Sequence, residues 1–375
     1  MSLAGIDRLD DRLTVTWGDG SRSTFHHLWL RDNCLCPTCR HQSVPERLVD
    51  TLSIPDDVAP ASAGVADGAL VVVWPDSHRS VFAEEWLATY TYDRGPRPSE
   101  DRRELWTAGS SRVPPEVLYD EVMSSDSDLL VWLREIDRFG VTLVRDAPTI
   151  PGTVIGLAER IAFLRNSNFG LLWDVVSKPD PDSIAYTAHG LAPHTDLTGR
   201  EMLPGVQFLH CLVFDAAGGD TMLVDGFACA AELAETDPAA YDLLVTTPLV
   251  FRYRDGATTD IAARVPLIRL DPAGRVCEVR YSNALLAPLD VPPDRMTETY
   301  RAVRAFGRLL QSGRYEQRLR LRPGDVMCFD NYRLLHGRTE FDPNSGPRHL
   351  QGCYVDRDDF LSRIRTLESS LGAVR

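Results

Sequence analysis

Apolar and polar residues alternate with a period of two along much of the second half of the chain. The alternating stretches are short and are separated by Gly, Pro, Asp and Asn. GVQFLHCLVF (205–214), DTMLVDGF (220–227), VPLIRLD (265–271), VCEVRYSN (276–283), DVMCFDNYRLL (325–335) and HLQGCYVD (349–356) read as strands, and SIAYTAHG (183–190) as another. Two segments switch to helical spacing, AELAETDPAAYDLLV and TETYRAVRAFGRLLQSG. Many short strands with turn punctuation predict a β-sandwich or jelly roll with helical inserts, mainly β overall.

The first 92 residues show a second, smaller alternating region. RLTVTWGDGSRSTFHHLWL alternates around Gly18-Asp19-Gly20, a hairpin signal. ALVVVWPDSHRSVF does the same around Pro75-Asp76, and VFAEEWLATY closes the region with a short helical pattern. Residues 93–113 are rich in Pro, Arg and Ser without periodicity and read as a linker, leaving 114–375 as the larger domain. That domain opens on PPEVLYDEVMSSDSDLLVWLREIDRFG, read as largely helical, followed by the strand VTLVRD and the amphipathic helix TVIGLAERIAFL. No internal repeat is evident.

A length of 375 residues leaves room for about two domains. No run of about 18 apolar residues exists to span a membrane. The acidic start, MSLAGIDRLDD, lacks the apolar core of a secretory signal, which predicts a cytoplasmic protein. Net charge is −14 and no basic block is dense enough for a nucleic-acid footprint; the balance suits a soluble enzyme acting on a small molecule, as it suits most cytosolic proteins. Lys178 is the one lysine, so a cation that clamps a substrate carboxylate is expected to be arginine.

His194-Thr195-Asp196 places two metal-ligating side chains two residues apart, on one side of an extended segment. Pro193 favours that extended backbone. His336 ends an apolar strand far downstream, and Arg348 follows twelve residues later. Two imidazoles and one carboxylate can occupy one face of iron(II) and leave positions open for a co-substrate and oxygen. The planar fork of Arg348 suits the distal carboxylate of 2-oxoglutarate. Thr221 could add a hydroxyl donor to the same carboxylate.

Eight cysteines divide into a cluster, Cys34, Cys36 and Cys39, and five scattered residues that read as reduced core thiols. Three thiols within six residues suggest structural zinc, which needs a fourth ligand. The spacing leaves His26, His27, His41 and His78 as candidates.

With these residues placed, the chain resembles the γ-butyrobetaine dioxygenase and trimethyllysine dioxygenase family over nearly its whole length. WLRDNCLCPTC, WPDSH, AYTAHGLAPHTD, PGVQFLHC, GGDTMLVDGF, RPGDVMCFDNYRLLHGR and RHLQGCYVD carry the resemblance. It implies a double-stranded β-helix catalytic domain behind a small β-rich zinc-binding N-terminal domain. It implies iron on His194, Asp196 and His336, 2-oxoglutarate on Arg348 and Thr221, zinc on Cys34, Cys36, Cys39 and His78, and a homodimer. The activity implied is hydroxylation of an unactivated C–H bond in a small, betaine-like substrate, with O2 consumed and succinate and CO2 released. Phe169, Trp173, Tyr186 and Tyr354 match the family's aromatic cage for a quaternary ammonium group, which is held by ring faces because it has no hydrogen to donate. Phe169 stands for a tyrosine, Leu197 for an aromatic residue and Ser183 near an asparagine, so the end of the pocket away from the cation is altered. Alternative outcomes are the same chemistry on an unrelated amine, desaturation or demethylation, a zinc hydrolase, or a metal-binding protein without turnover.

Overall fold

The computed structural model describes residues 2–44, 46–93, 102–176, 188–256 and 258–372. The chain divides into two compact units, residues 1–101 and 102–375. No described helix is long and apolar enough to cross a membrane.

In the first unit, strands β1 (Leu3–Arg8), β2 (Arg12–Trp17) and β3 (Arg22–His26) form one antiparallel sheet and lead into helix α1 (His27–Asp32). Strands β4 (Ser62–Ala66), β5 (Ala69–Val73) and β6 (Arg79–Ala83) form another and lead into α2 (Glu84–Tyr90). The two halves repeat each other in structure. Trp17 Nε1 donates to Ser23 Oγ and Trp74 Nε1 to Ser80 Oγ, each at 2.9 Å and each across a hairpin. The repeat escapes a reading of the sequence because the shared residues are few, a Trp and a Ser six apart around unlike turns. Leu13, Val15, Phe25, Leu70, Val72 and Phe82 close a common core.

The second unit begins with β7 (Glu116–Leu118), α3 (Tyr119–Ser124), α4 (Asp126–Phe139), β8 (Val141–Arg145) and α5 (Thr153–Glu159). There follow β9 (Trp173–Val175), β10 (Leu191–His194), β11 (Val206–Phe214), β12 (Ala217–Gly218), β13 (Thr221–Asp225), α6 (Gly226–Thr236) and α7 (Pro238–Thr246). A hairpin, β14 (Pro248–Asp255) and β15 (Thr259–Pro266), and a smaller one, β16 (Ile268–Leu270) and β17 (Val276–Val279), precede α8 (Met296–Leu310). The chain closes with β18 (Glu316–Leu319), β19 (Val326–Asp330), β20 (Leu334–Arg338), β21 (Phe341–Asp342), β22 (Arg348–Val355) and α9 (Arg357–Ser370).

Two sheets form the frame, in the orders β7-β8-β19-β11-β22-β9 and β10-β20-β13-β18. Side-chain parity along each strand sorts the residues into layers. Met327, Phe329, Leu209, Leu350, Leu223 and Leu334 point between the sheets and make one core. Their neighbours Val326, Cys328, Phe208 and Cys353 point outward under α4, α5 and α9. Val224 and Leu335 point outward under α6, α7 and α8. Each fully buried Leu or Phe contributes roughly 1.5–3 kcal/mol, so a one-residue slip of any of these strands is strongly disfavoured. This is the double-stranded β-helix expected from the resemblance.

Two stretches differ from the sequence reading. Residues 116–118, expected to be helical, form β7 and pair in parallel with β8, because an edge of the large sheet is available to them. Of the segment read as a linker, 94–101 lie outside the described residues, while 102–113 pack into the second unit. Trp106 there is 2% exposed and its indole donates to Phe139 O at 2.8 Å. An isolated tryptophan among polar residues carries no periodic signal, so its burial is a tertiary event.

Candidate functional site

The parity that builds the core also aims the chemistry. His336 and Arg338 share the inward face of β20 with Leu334, Thr221 shares that of β13 with Leu223, and Arg348, Gly352 and Tyr354 share that of β22 with Leu350. In the ladder His194 pairs with His336, and His336 with Leu223. One ligand atom from each of His194, Asp196 and His336 falls within 4.8 Å of the other two. His194 Nε2 is 3.4 Å and His336 Nε2 3.8 Å from Asp196 Oδ1.

The surroundings hold these groups in place. His194 Nδ1 lies 2.9 Å from Ala192 O, which draws the ring proton to Nδ1 and leaves Nε2 free to ligate. Tyr354 donates its hydroxyl to Asp196 Oδ2 at 2.8 Å. Asn331, which the sequence did not single out, brackets the backbone of Asp196. The turn that carries Asn331 is fixed by a buried pair. Arg333 donates to Asp225 through Nε and Nη2, at 3.2 and 2.7 Å, and to the carbonyls of Arg138 and Glu104. Such a pair is sustained only because all its hydrogen bonds are made. Asp225 also caps α6, accepting from Phe227 N and Ala228 N.

Burial by itself would raise the Asp196 carboxyl, but His336, His194 and the Tyr354 hydroxyl hold it well below the usual carboxylate range. Burial pushes His336 down to about 4, so its imidazole stays neutral. For His194 the same burial is outweighed by Asp196, and its value is raised. A carboxylate between two imidazoles, with the second carboxylate oxygen already satisfied by a phenol, is a donor set that fits a divalent iron ion.

The Arg348 side chain makes no hydrogen bond or ion pair among the described residues, and its Nε is buried without a partner there. Its guanidinium rests on the rings of Phe214 and Phe341, with centroids at 5.0 and 5.6 Å. Burial, with Arg338 adding to it, lowers its pKa to about 10. An unpaired buried guanidinium is costly, and a dianionic co-substrate would satisfy it. Gly219 permits this packing, since a Cβ there would lie 3.2 Å from Arg348 Nε. Thr221 is buried and paired with Arg338 in the ladder. Arg338, also absent from the sequence reading, stacks on Phe341 at 4.9 Å and donates to His189 O. The fit to 2-oxoglutarate is therefore good.

A cavity of about 520 Å³ opens on His194 and Asp196. Phe169, Trp173 and Tyr354 line it, while Tyr186 and Ser183 lie outside the described residues. Trp173 and Tyr354 stack at 5.3 Å, tilted by 37°. Tyr253 of β14 meets Phe169 edge to face at 5.9 Å. Nothing in the sequence of β14 marks Tyr253, because only the folding of that hairpin over the cavity brings it there. Leu197 also lines the cavity, with a left-handed backbone (φ 55°) that turns the chain directly after Asp196. Neither Arg348 nor Thr221 lines this space.

In the first unit, Cys34, Cys36, Cys39 and His78 gather their ligand atoms within 4.8 Å of one another. His78 Nε2 lies 3.2, 3.6 and 3.5 Å from the three Sγ atoms. The other histidine candidates are elsewhere. His26 contacts Tyr92 OH, His41 Nδ1 accepts from Ser43 N and Val44 N, and the buried His27 ring has no polar partner among the described residues. Burial raises Cys34 to about 11; it would raise Cys36 too, but hydrogen bonds from Thr38 and Cys34 bring that thiol down to about 7. Three sulfurs and an imidazole nitrogen form the donor set of a closed structural zinc site.

Comparison with known proteins agrees with this geometry. Residues 98–354 match the Taurine catabolism dioxygenase TauD, TfdA family, and residues 6–88 match the Gamma-butyrobetaine hydroxylase-like, N-terminal family. The chain is 45% identical to the gamma-butyrobetaine dioxygenase of Pseudomonas sp. (strain AK-1), covering 98% of this chain and 96% of that protein. It is 32% identical to human gamma-butyrobetaine dioxygenase and 31% identical to the trimethyllysine dioxygenase of Meyerozyma guilliermondii, each alignment covering 95% of this chain and 94% of the relative. The chain thus belongs to the γ-butyrobetaine and trimethyllysine dioxygenase family and is an iron(II)- and 2-oxoglutarate-dependent dioxygenase.

Proposed function

We propose that the protein hydroxylates an unactivated C–H bond of a small betaine-like substrate, with 2-oxoglutarate converted to succinate and CO2. The observation that carries this reading is the opening of one aromatic-lined cavity directly onto the His194–Asp196–His336 cluster. In this reading those three residues hold iron(II), which with 2-oxoglutarate supplies the oxidising power for insertion of oxygen from O2. Arg348 and Thr221 hold the distal carboxylate of 2-oxoglutarate. Phe169, Trp173, Tyr354 and Tyr186 receive a quaternary ammonium group, and their placement decides which carbon lies nearest the metal. Cys34, Cys36, Cys39 and His78 hold structural zinc. Free cysteines throughout the described residues support a reducing, cytoplasmic setting; a homodimer, which the family resemblance implies, belongs to the same reading.

The test is anaerobic titration with iron(II) and 2-oxoglutarate, followed by turnover with γ-butyrobetaine and related amines. Wild type should show the charge-transfer absorption of the chelate and release succinate in proportion to hydroxylated product. His194→Ala and Asp196→Ala should lose both signals, and Arg348→Gln should raise the 2-oxoglutarate requirement by about tenfold or more. Substrate-coupled succinate from His194→Ala would refute the assignment.

A further inference from the structure

The cavity that meets the iron cluster is lined by aromatic rings and by two arginines, Arg200 and Arg254. Arg254 is exposed and paired, with Nε 3.1 Å from Asp260 Oδ2, a carboxylate it shares with Arg252. Arg165, whose charge acts on Arg200, is likewise paired, at 2.6 Å from Asp356. Arg200 has no carboxylate partner among the described residues. Its Nη2 donates to Asn168 Oδ1 at 3.1 Å, and its Nε is buried with no partner among the described residues. A guanidinium left in this state is short of one hydrogen-bonding anion.

The loop that carries it is built to hold position. Arg280 is fully buried, paired with Glu278 at 2.8 Å, and donates to the carbonyls of Thr198, Arg200 and Glu201 at 3.1, 2.5 and 3.0 Å. Gly199 lies against the next hairpin so closely that a Cβ would fall 2.8 Å from Ile261 O. Arg200 N donates back to Leu197 O at 2.9 Å. A side chain on so constrained a loop, four residues after Asp196, loses little entropy when it binds.

We propose that Arg200, oriented by Asn168, grips a carboxylate on the substrate and so selects zwitterions over simple quaternary amines. The proposal rests on the betaine-like reading above and adds to it the group that recognises the anionic end. Asp196 cannot serve as a competing partner, since its oxygens are committed to the two imidazoles and Tyr354.

Full-length protein loaded anaerobically with iron(II) and 2-oxoglutarate is titrated calorimetrically with two matched pairs of compounds. One pair is γ-butyrobetaine and its carboxamide. The other is the all-carbon isostere, in which carbon replaces the quaternary nitrogen, and its carboxamide. Wild type should favour each carboxylate over its amide by about tenfold or more. Arg200→Gln should abolish that preference while leaving amide binding, 2-oxoglutarate binding and the thermal midpoint unchanged, and Arg200→Lys should restore part of it. An undiminished preference in Arg200→Gln, or none in wild type, overturns the role of Arg200. Equal affinity for γ-butyrobetaine and its isostere would instead remove the quaternary-amine reading, with the isostere pair still reporting on Arg200. Binding of none of the four compounds overturns both.

Discussion

Asn331 holds Asp196 by its backbone at both ends: Oδ1 accepts from the Asp196 N–H at 2.9 Å, and Nδ2 donates to the Asp196 carbonyl at 3.2 Å. A second bond from Nδ2 reaches Pro204 O at 3.2 Å, and the residue is fully buried. The side chain thus takes the place of a strand neighbour for a residue that leaves the ladder. Asn331→Ala strands a buried N–H and two carbonyls, so the fold should lose about 1–3 kcal/mol. Iron affinity should fall with it. Urea unfolding of the metal-free protein and an iron titration would check the two effects, and unchanged values in both would remove Asn331 from the site's support.

Tyr354 was expected as part of the cation cage, and its ring does line the cavity, but its hydroxyl is bound to Asp196. Tyr354→Phe keeps the ring face and removes the hydrogen bond. The dissociation constant for iron(II) should rise by about 10–100-fold, with substrate affinity at saturating iron nearly unchanged. The opposite split would assign Tyr354 to the substrate alone.

Trp173 lies flat over Gly352, where a Cβ would come within 2.2 Å of the indole. Gly352→Ala should therefore push the ring into the cavity. Substrate affinity should drop several-fold, and the core should lose about 1–3 kcal/mol. The absorption of the iron and 2-oxoglutarate chelate should persist. Loss of substrate and co-substrate binding together would mean that the whole site had rearranged.

Elemental analysis should find one zinc per chain. Strong chelation or Cys36→Ser should leave residues 2–93 open to limited proteolysis while residues 102–372 stay resistant, because a closed zinc site contributes folding energy directly. Protection of the first unit after complete zinc removal would show that its core suffices.

His210 is fully buried in β11, and neither ring nitrogen has a partner among the described residues. Burial lowers its pKa from 6.5 to about 4. The folded value lies below the unfolded one, so the unfolded chain takes up the proton first as pH falls. Stability is therefore intact above about 6.5 and is lost progressively down to about 4, by about 3 kcal/mol at most. His210→Leu should lack this component. The difference in denaturant midpoint between wild type and variant should change only across that window and stay constant on either side of it, and a difference independent of pH would disprove it.

The gathering of His194, Asp196 and His336 and the cluster of Cys34, Cys36 and Cys39 were legible because each belongs to a local pattern: two candidate ligands on one side of an extended segment, a histidine at a strand end, thiols crowded together. The strands were legible because burial on one face imposes a period of two. His78 could not be chosen among the histidines by spacing, since the turn between β5 and β6 reaches the thiols only through the fold. Asn331, Arg338, Arg200 and Tyr253 were silent for the same reason: a lone polar or aromatic residue has no period, and its meaning lies in what it touches.

The chain by itself determined which residues face inward on each strand, because alternation is a local property of the backbone and the hydrophobic effect reads it directly. Tertiary structure alone decided which inward faces meet. Closing the two sheets on each other brought His194 opposite His336, left the Arg348 side chain without a partner among the described residues and set Arg200 at the cavity, through pairings between segments far apart in sequence that no local pattern encodes.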